Sequence, residues 1–170
     1  MPRLHVCSLA RVAETVRATG ARSLVTLINL DTLVSRPAEI DPDRHLFIGM
    51  SDIVEPLDGH ILPAEEHVRK LIAFAKGWDR NEPLIIHCHA GVSRSTAAAF
   101  IIACALAPSR SEAEIAGAIR RASHTATPNT RMVAIADAML KRNGRMVAAI
   151  ERIGRGSDCY EGVPFVLELR

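Results

Sequence analysis

Apolar and polar positions alternate in short blocks along the first half of the chain and then settle into helical spacing. Leu4–Cys7 is short and apolar and predicts a first strand. Ser8 reads as the cap of a helix over Leu9–Thr19, where Leu9, Val12, Ala13 and Val16 share a face and Gly20 stops the run. Arg22–Asn29 (RSLVTLIN) is rich in apolar and β-branched residues and predicts a buried strand. Asp31–Arg44, with Pro37 and Pro42, reads as a loop, and His45–Met50 (HLFIGM) as the next strand. Ser51–Leu62 follows as an irregular loop. Pro63 opens a helix to Trp78, with Val68, Leu71, Ile72 and Ala75 on one face. Pro83–His87 is a short, mostly apolar strand.

Beyond that point the pattern predicts helices only. Arg94–Leu106 is apolar almost all round and should be buried. Ser111 caps a helix to about Ala122, with Glu114 placed to complete a capping box. Pro128 starts a helix to Lys141, and Gly144 separates it from a last helical stretch to Ile153. The tail, Gly154–Arg170, is Gly-rich and then apolar; it reads equally as an edge strand or as a segment that packs down.

Strands alternating with helices, then helices alone, imply an α/β fold. The expectation is one domain over residues 1–170, with a mostly parallel central sheet flanked by helices and a helical C-terminal part. A chain of 170 residues, 48% hydrophobic, is long enough for a core of its own. The formal net charge of +2 is too small to point to a nucleic-acid or membrane partner. Cys7, Cys88, Cys104 and Cys159 are far apart and lack zinc-ligand spacing. No leader-like or bilayer-spanning stretch stands out, so a cytoplasmic location with reduced thiols is expected.

Ligands of open parallel sheets bind beyond the carboxyl ends of the strands. There the chain reads Ile-His-Cys-His-Ala-Gly-Val-Ser-Arg-Ser-Thr, residues 86–96. A buried strand ends at His87, a helix begins near Arg94, and only His89–Ser93 separate Cys88 from Arg94. A loop this short can turn its backbone N–H groups around one small anion. The helix that follows adds its own N–H groups and the positive end of its dipole. Gly91 supplies backbone freedom, and Arg94 carries a planar fork that matches two phosphate oxygens. The same field favours the thiolate of Cys88. A cysteine at the end of a buried strand is commonly just a small core residue. An arginine in the first turn of a helix, however, opposes the dipole unless an anion sits nearby.

The stretch HCHAGVSRS resembles the His-Cys-x5-Arg-Ser signature of the protein tyrosine and dual-specificity phosphatases. The order of elements and the chain length resemble the compact dual-specificity type. Pro128-Asn129 resembles the Pro-Asn that begins a late helix in many relatives, and the likeness spans roughly residues 4–142. The resemblance implies a phosphatase-like fold and a cysteinyl-phosphate mechanism without metal or cofactor. Cys88 would be the nucleophile. Arg94 and the backbone of His89, Ala90, Gly91, Val92 and Ser93 would hold the phosphate. Ser95 would hydrogen-bond the sulfur, and His87 would fix the turn through a loop carbonyl. Phosphate, sulfate or vanadate should bind at the site, and a phosphorylated protein is the expected substrate.

The family also implies an acid on an upstream loop. Asp52 and Asp58 lie 36 and 30 residues before Cys88. Asp52 is favoured because it directly follows the strand HLFIGM and would emerge at the carboxyl edge of the sheet. Asp58 lies in Leu-Asp-Gly, where an aspartate commonly serves a turn. The loop interior has no lysine, which leans away from phosphoinositides, and no long tyrosine-recognition loop can be identified. Two rival readings are a rhodanese-like sulfurtransferase and a phosphate-binding module without turnover.

Overall fold

The computed structural model describes all residues 1–170. Its sheet has five strands: β1 (Arg3–Cys7), β2 (Ser23–Ile28), β3 (His45–Gly49), β4 (Leu84–His87) and β5 (Phe165–Glu168). They lie in the order β3-β2-β4-β1-β5. The first four are mutually parallel, and β5 runs antiparallel along β1. Six helices accompany them: α1 (Val12–Thr19), α2 (Glu65–Gly77), α3 (Arg94–Leu106), α4 (Glu112–Ala122), α5 (Thr130–Met139) and α6 (Arg145–Ile153). The expected single α/β domain with a mostly parallel sheet is thus observed. No helix is long and apolar enough to cross a membrane.

Alternation along the strands divides the core in two. Val25 and Leu27 of β2 and Leu84 and Ile86 of β4 point into the larger cluster, which α2 to α6 complete. Leu24 and Ile85 point the other way, against Val12 and Val16 of α1 and Ile40 of the long loop. At the centre of the larger cluster lies α3, buried at every position from Arg94 to Cys104. Its all-round apolar sequence has this consequence: a helix without a polar face must be enclosed by others. The capping box of α4 forms as its sequence suggests, with Ser111 and Glu114 each accepting the other's backbone N–H.

One local reading needs correction. Ser8 does not cap a helix that begins at Leu9. The chain first makes a 3-10 turn over Leu9–Arg11, and the hydroxyl of Ser8 has no partner. The reason is long-range: the Leu9 N–H donates to the carbonyl of His89, 3.0 Å away, which sets the direction of entry. The tail does both of the things open to it. Residues 154–163 form a strap against the 123–127 segment, and then β5 adds the edge strand. Arg120 anchors the strap by donating to the carbonyls of Ser123, His124, Ile153 and Gly154.

The parallel strands all end at one edge. There β2 delivers Asn29, β3 delivers Met50 to Asp52, β4 delivers Cys88, and β1 delivers the backbone of Cys7 and Ser8. The candidate site is assembled from these ends.

Candidate active site

The loop from Cys88 to Ser93 is held from outside by its carbonyls. Cys88 O accepts from His87 Nδ1 at 2.8 Å. His89 O accepts from Leu9 N, Ala90 O from Gly162 N, Val92 O from Thr127 N and Ser93 O from Asn129 N, at 2.8–3.2 Å. Because the peptide unit is planar and trans, each outward carbonyl turns the next N–H to the opposite side. The N–H groups of residues 89–94 donate to no protein group. They line the concave side of the loop, at the start of α3, where the helix dipole adds to them.

Two glycines permit this shape. Gly91 sits at φ +73°, and a Cβ there would lie 2.8–3.0 Å from the Cys7 and Ser8 backbone. At Gly162, in the strap, a Cβ would come within 2.5 Å of Gly91 O. The strap is therefore a wall of the loop, although it lies about seventy residues further along the chain.

Cys88 is 2% exposed, and its Sγ lies 3.1 Å from Ser95 Oγ. A thiolate at this position would accept the serine hydroxyl's hydrogen. Burial pushes the Cys7 thiol up to about 11 and that of Cys104 up to about 12, so both stay protonated at neutral pH. Cys159 is exposed.

Arg94 is 7% exposed, and its side chain is fixed at one end only. Its Nη1 donates to Asn29 Oδ1 at 2.6 Å and to Met50 O at 2.8 Å. Its Nε is buried and has no hydrogen-bond partner. A buried N–H of a cation without a partner costs more than an ordinary orphan donor. An anion held in the adjacent loop is the partner that would relieve it.

Asp52 lies against the same loop. Its Oδ1 accepts from Ser93 Oγ at 2.7 Å and from Asn129 Nδ2 at 2.9 Å, which leaves Oδ2 free of protein partners. Asn129 serves two elements, since its Oδ1 also caps α5 by accepting from Met132 N. Asp58 is exposed, sits in a turn, and makes no hydrogen bond or ion pair. His89 is exposed at the rim. The structure thus brings Cys88, Ser95, Arg94 and Asp52 together around one loop and leaves Asp58 apart from it. Sequence reasoning missed Asn29, which orients Arg94, and Asn129, which orients Asp52. For Asn129 a signal existed in the Pro-Asn pair; for Asn29 only its place just after a buried strand.

A directed hydrogen-bond chain lies behind the loop. Cys88 O can only accept, so the hydrogen of His87 is on Nδ1. Nε2 of His87 then accepts from the hydroxyl of Thr26 at 2.7 Å, and Thr26 Oγ1 accepts from His45 Nε2 at 2.8 Å. Burial first, with His45 and Arg94 adding repulsion against the backbone bond's opposing pull, lowers the pKa of His87 to about 4. The neutral ring therefore belongs to the folded state, whereas an unfolded chain takes the proton near pH 6.5. Stability from this residue should be full above pH 6.5 and fall as the pH drops toward 4, by at most about 3 kcal/mol. Urea unfolding at pH 7 and pH 4.5 checks this. His87→Asn should flatten the decline, with a residual slope from His5 and His45, which burial also holds low. An equally steep decline in His87→Asn would show that His87 is not its source.

No protein-family model matches the chain, and no curated protein does. Solved structures do resemble it. The chain is similar to the PTP-2 phosphatase of Cydia pomonella, with 20% identity over 79% of this chain and 84% of that one, at a TM-score of 0.62. It is similar to human DUSP28, with 16% identity over 82% and 89% of the two chains, at a TM-score of 0.63. DUSP15 matches at 17% identity over 89% and 92%, at a TM-score of 0.58. At these identities the likeness is one of fold. The chain has the fold of the protein tyrosine and dual-specificity phosphatases, in its compact form.

Proposed function

We propose that the protein is a phosphatase that hydrolyses phosphomonoesters through a cysteinyl-phosphate on Cys88. The observation that carries this reading is the buried, partnerless Nε of Arg94 beside the unpaired N–H groups of residues 89–94. Together they make a socket for a tetrahedral oxyanion, and Cys88 lies within it. In the first step Cys88 Sγ attacks phosphorus, the S–P bond forms, and the P–O bond to the leaving group breaks. The equatorial oxygens gain charge, which Arg94 and the loop N–H groups stabilise. Asp52, with Oδ1 occupied by two donors, would carry its proton on Oδ2 and give it to the leaving oxygen. In the second step water attacks phosphorus, its proton returns to Asp52, and sulfur departs as a thiolate that accepts a hydrogen bond from Ser95. A phosphoprotein is the substrate the fold supports best, at phosphotyrosine alone or at phosphoserine and phosphothreonine as well.

Steady-state hydrolysis of aryl and alkyl phosphates tests the proposal and separates the two acids. A poor leaving group needs a proton, and an activated aryloxide hardly does. Asp52→Asn should slow phenyl phosphate by about 10²–10⁴-fold, slow an activated aryl phosphate far less, and flatten the basic limb of the pH profile. Asp58→Asn should do neither. If the two variants exchange behaviours, the assignment of the loop after β3 is wrong; no hydrolysis of any phosphate by the wild type would sink the proposal itself.

A further inference from the structure

Beside the socket lies a second concavity. A cleft of about 400 Å³ is lined by Asn29, Leu30, Asp31, Ser51, His60 and Ile61. It adjoins the phosphate clamp, because Asn29 is the residue that holds Arg94 Nη1. Its far wall is a closed loop: Ser51 N donates to Ile61 O at 2.8 Å, Ile61 N donates to Ser51 Oγ at 3.1 Å, and His60 N donates to Leu57 O. The near wall turns back on itself through Thr32 N to Asn29 O. The cleft is thus bounded by segments tied at their bases.

The chemistry of these two segments is one-sided. Leu30, Leu33, Val54, Leu57 and Ile61 are exposed, and these make up most of the large exposed apolar residues of the chain. Within residues 29–35, 51–62 and 88–96 the only Lys or Arg is Arg94, against Asp31, Asp52, Glu55 and Asp58. The only histidine that lines the cleft is His60. A polyanion seated by one phosphate would find no second cation here and several carboxylates to repel it. A cationic side chain next to the seated phosphate would find Asp31, and apolar neighbours would find the exposed leucines.

From this we infer that the cleft receives a basic residue adjacent to the phosphorylated residue of a protein substrate, with Asp31 as the selecting carboxylate. The inference rests on the phosphatase reading for the seat of the phosphate. Asp31 is a specificity residue; it makes no hydrogen bond or ion pair with Cys88, Arg94 or Asp52.

The test uses two phosphotyrosine peptides that differ only in Arg or Glu beside the phosphotyrosine, and p-nitrophenyl phosphate, which is too small to reach the cleft. Wild type should show a kcat/KM about fivefold higher for the Arg peptide, the upper scale of an exposed charge pair. Asp31→Asn should bring the ratio close to one, and Asp31→Lys should invert it, while p-nitrophenyl phosphate turnover stays the same in all three. The same peptides are then titrated by fluorescence anisotropy against Cys88→Ser protein with and without Asp31→Asn. A ratio that is the same in every Asp31 variant, or a wild type that prefers the Glu peptide or a soluble inositol polyphosphate, would overturn the inference while leaving the phosphatase reading intact. Selective binding that depends on Asp31, without hydrolysis of any substrate by the wild type, would instead remove the phosphatase reading and keep the cleft.

Discussion

Cys88→Ser should lose turnover of every phosphomonoester by on the order of 10⁴-fold or more, and should still bind phosphate, sulfate or a phosphopeptide. The hydroxyl is close to the thiol in size, so the loop, the 0%-exposed Ser95 beneath it and the outward carbonyl bonds remain in place. What disappears is the nucleophile. Cys7→Ser, Cys104→Ala and Cys159→Ser should leave the chemistry intact. Two of these thiols are held protonated by burial and the third is exposed outside the socket. Cys104→Ala should act on stability only, because Cys104 packs in the main core. Appreciable phosphatase activity in Cys88→Ser would remove the covalent mechanism. Isothermal titration with phosphate or vanadate checks the retained binding.

Arg94→Lys should be nearly as damaging, with kcat down by at least about 10²-fold and weaker binding of phosphate and vanadate. Charge is conserved in this variant, so a simple electrostatic account would expect a mild effect. The geometry argues otherwise. One end of the guanidinium is already engaged by Asn29 Oδ1 and Met50 O, which aims the remaining donors into the loop. A lysine has one terminal nitrogen, and satisfying Asn29 and Met50 takes it away from the anion. A variant within a few-fold of wild type would place the anion cradle elsewhere. Asn29→Ala should reproduce part of the loss by freeing the fork.

The loop was legible in the sequence because it is local. Cys88, Gly91, Arg94 and Ser95 lie within eight residues, and a short connection between a buried strand and a buried helix permits few conformations. The helices were legible for a similar reason, since α3 and α4 carry their burial pattern and cap in consecutive residues. The supports of the site were not. Asn29 reaches Arg94 across 65 positions and Asn129 reaches Asp52 across 77. No periodicity connects residues so far apart. The strap is polar and irregular, and its contact with Ala90 depends on a glycine whose significance appears only when Gly91 lies against it. The misplaced start of the first helix has the same origin: Ser8 is a good cap by type, but the pull of His89 O on Leu9 N overrides local preference. Asp52 and Asp58 were separable only in part from their spacing. Their surroundings differ sharply in three dimensions, with one carboxylate bound by Ser93 and Asn129 and the other bound by nothing.

The central claim, that phosphate passes through a covalent bond to Cys88, is tested most directly by trapping that bond. Wild-type protein turning over an activated aryl phosphate should be quenched in acid within the steady state, digested, and analysed by mass spectrometry. The account predicts phosphate on the peptide that contains Cys88, no such adduct in Cys88→Ser, and accumulation of the adduct in Asp52→Asn, where water attack lacks its base. Steady phosphate release with no adduct on Cys88, or with the adduct on another residue, would contradict it.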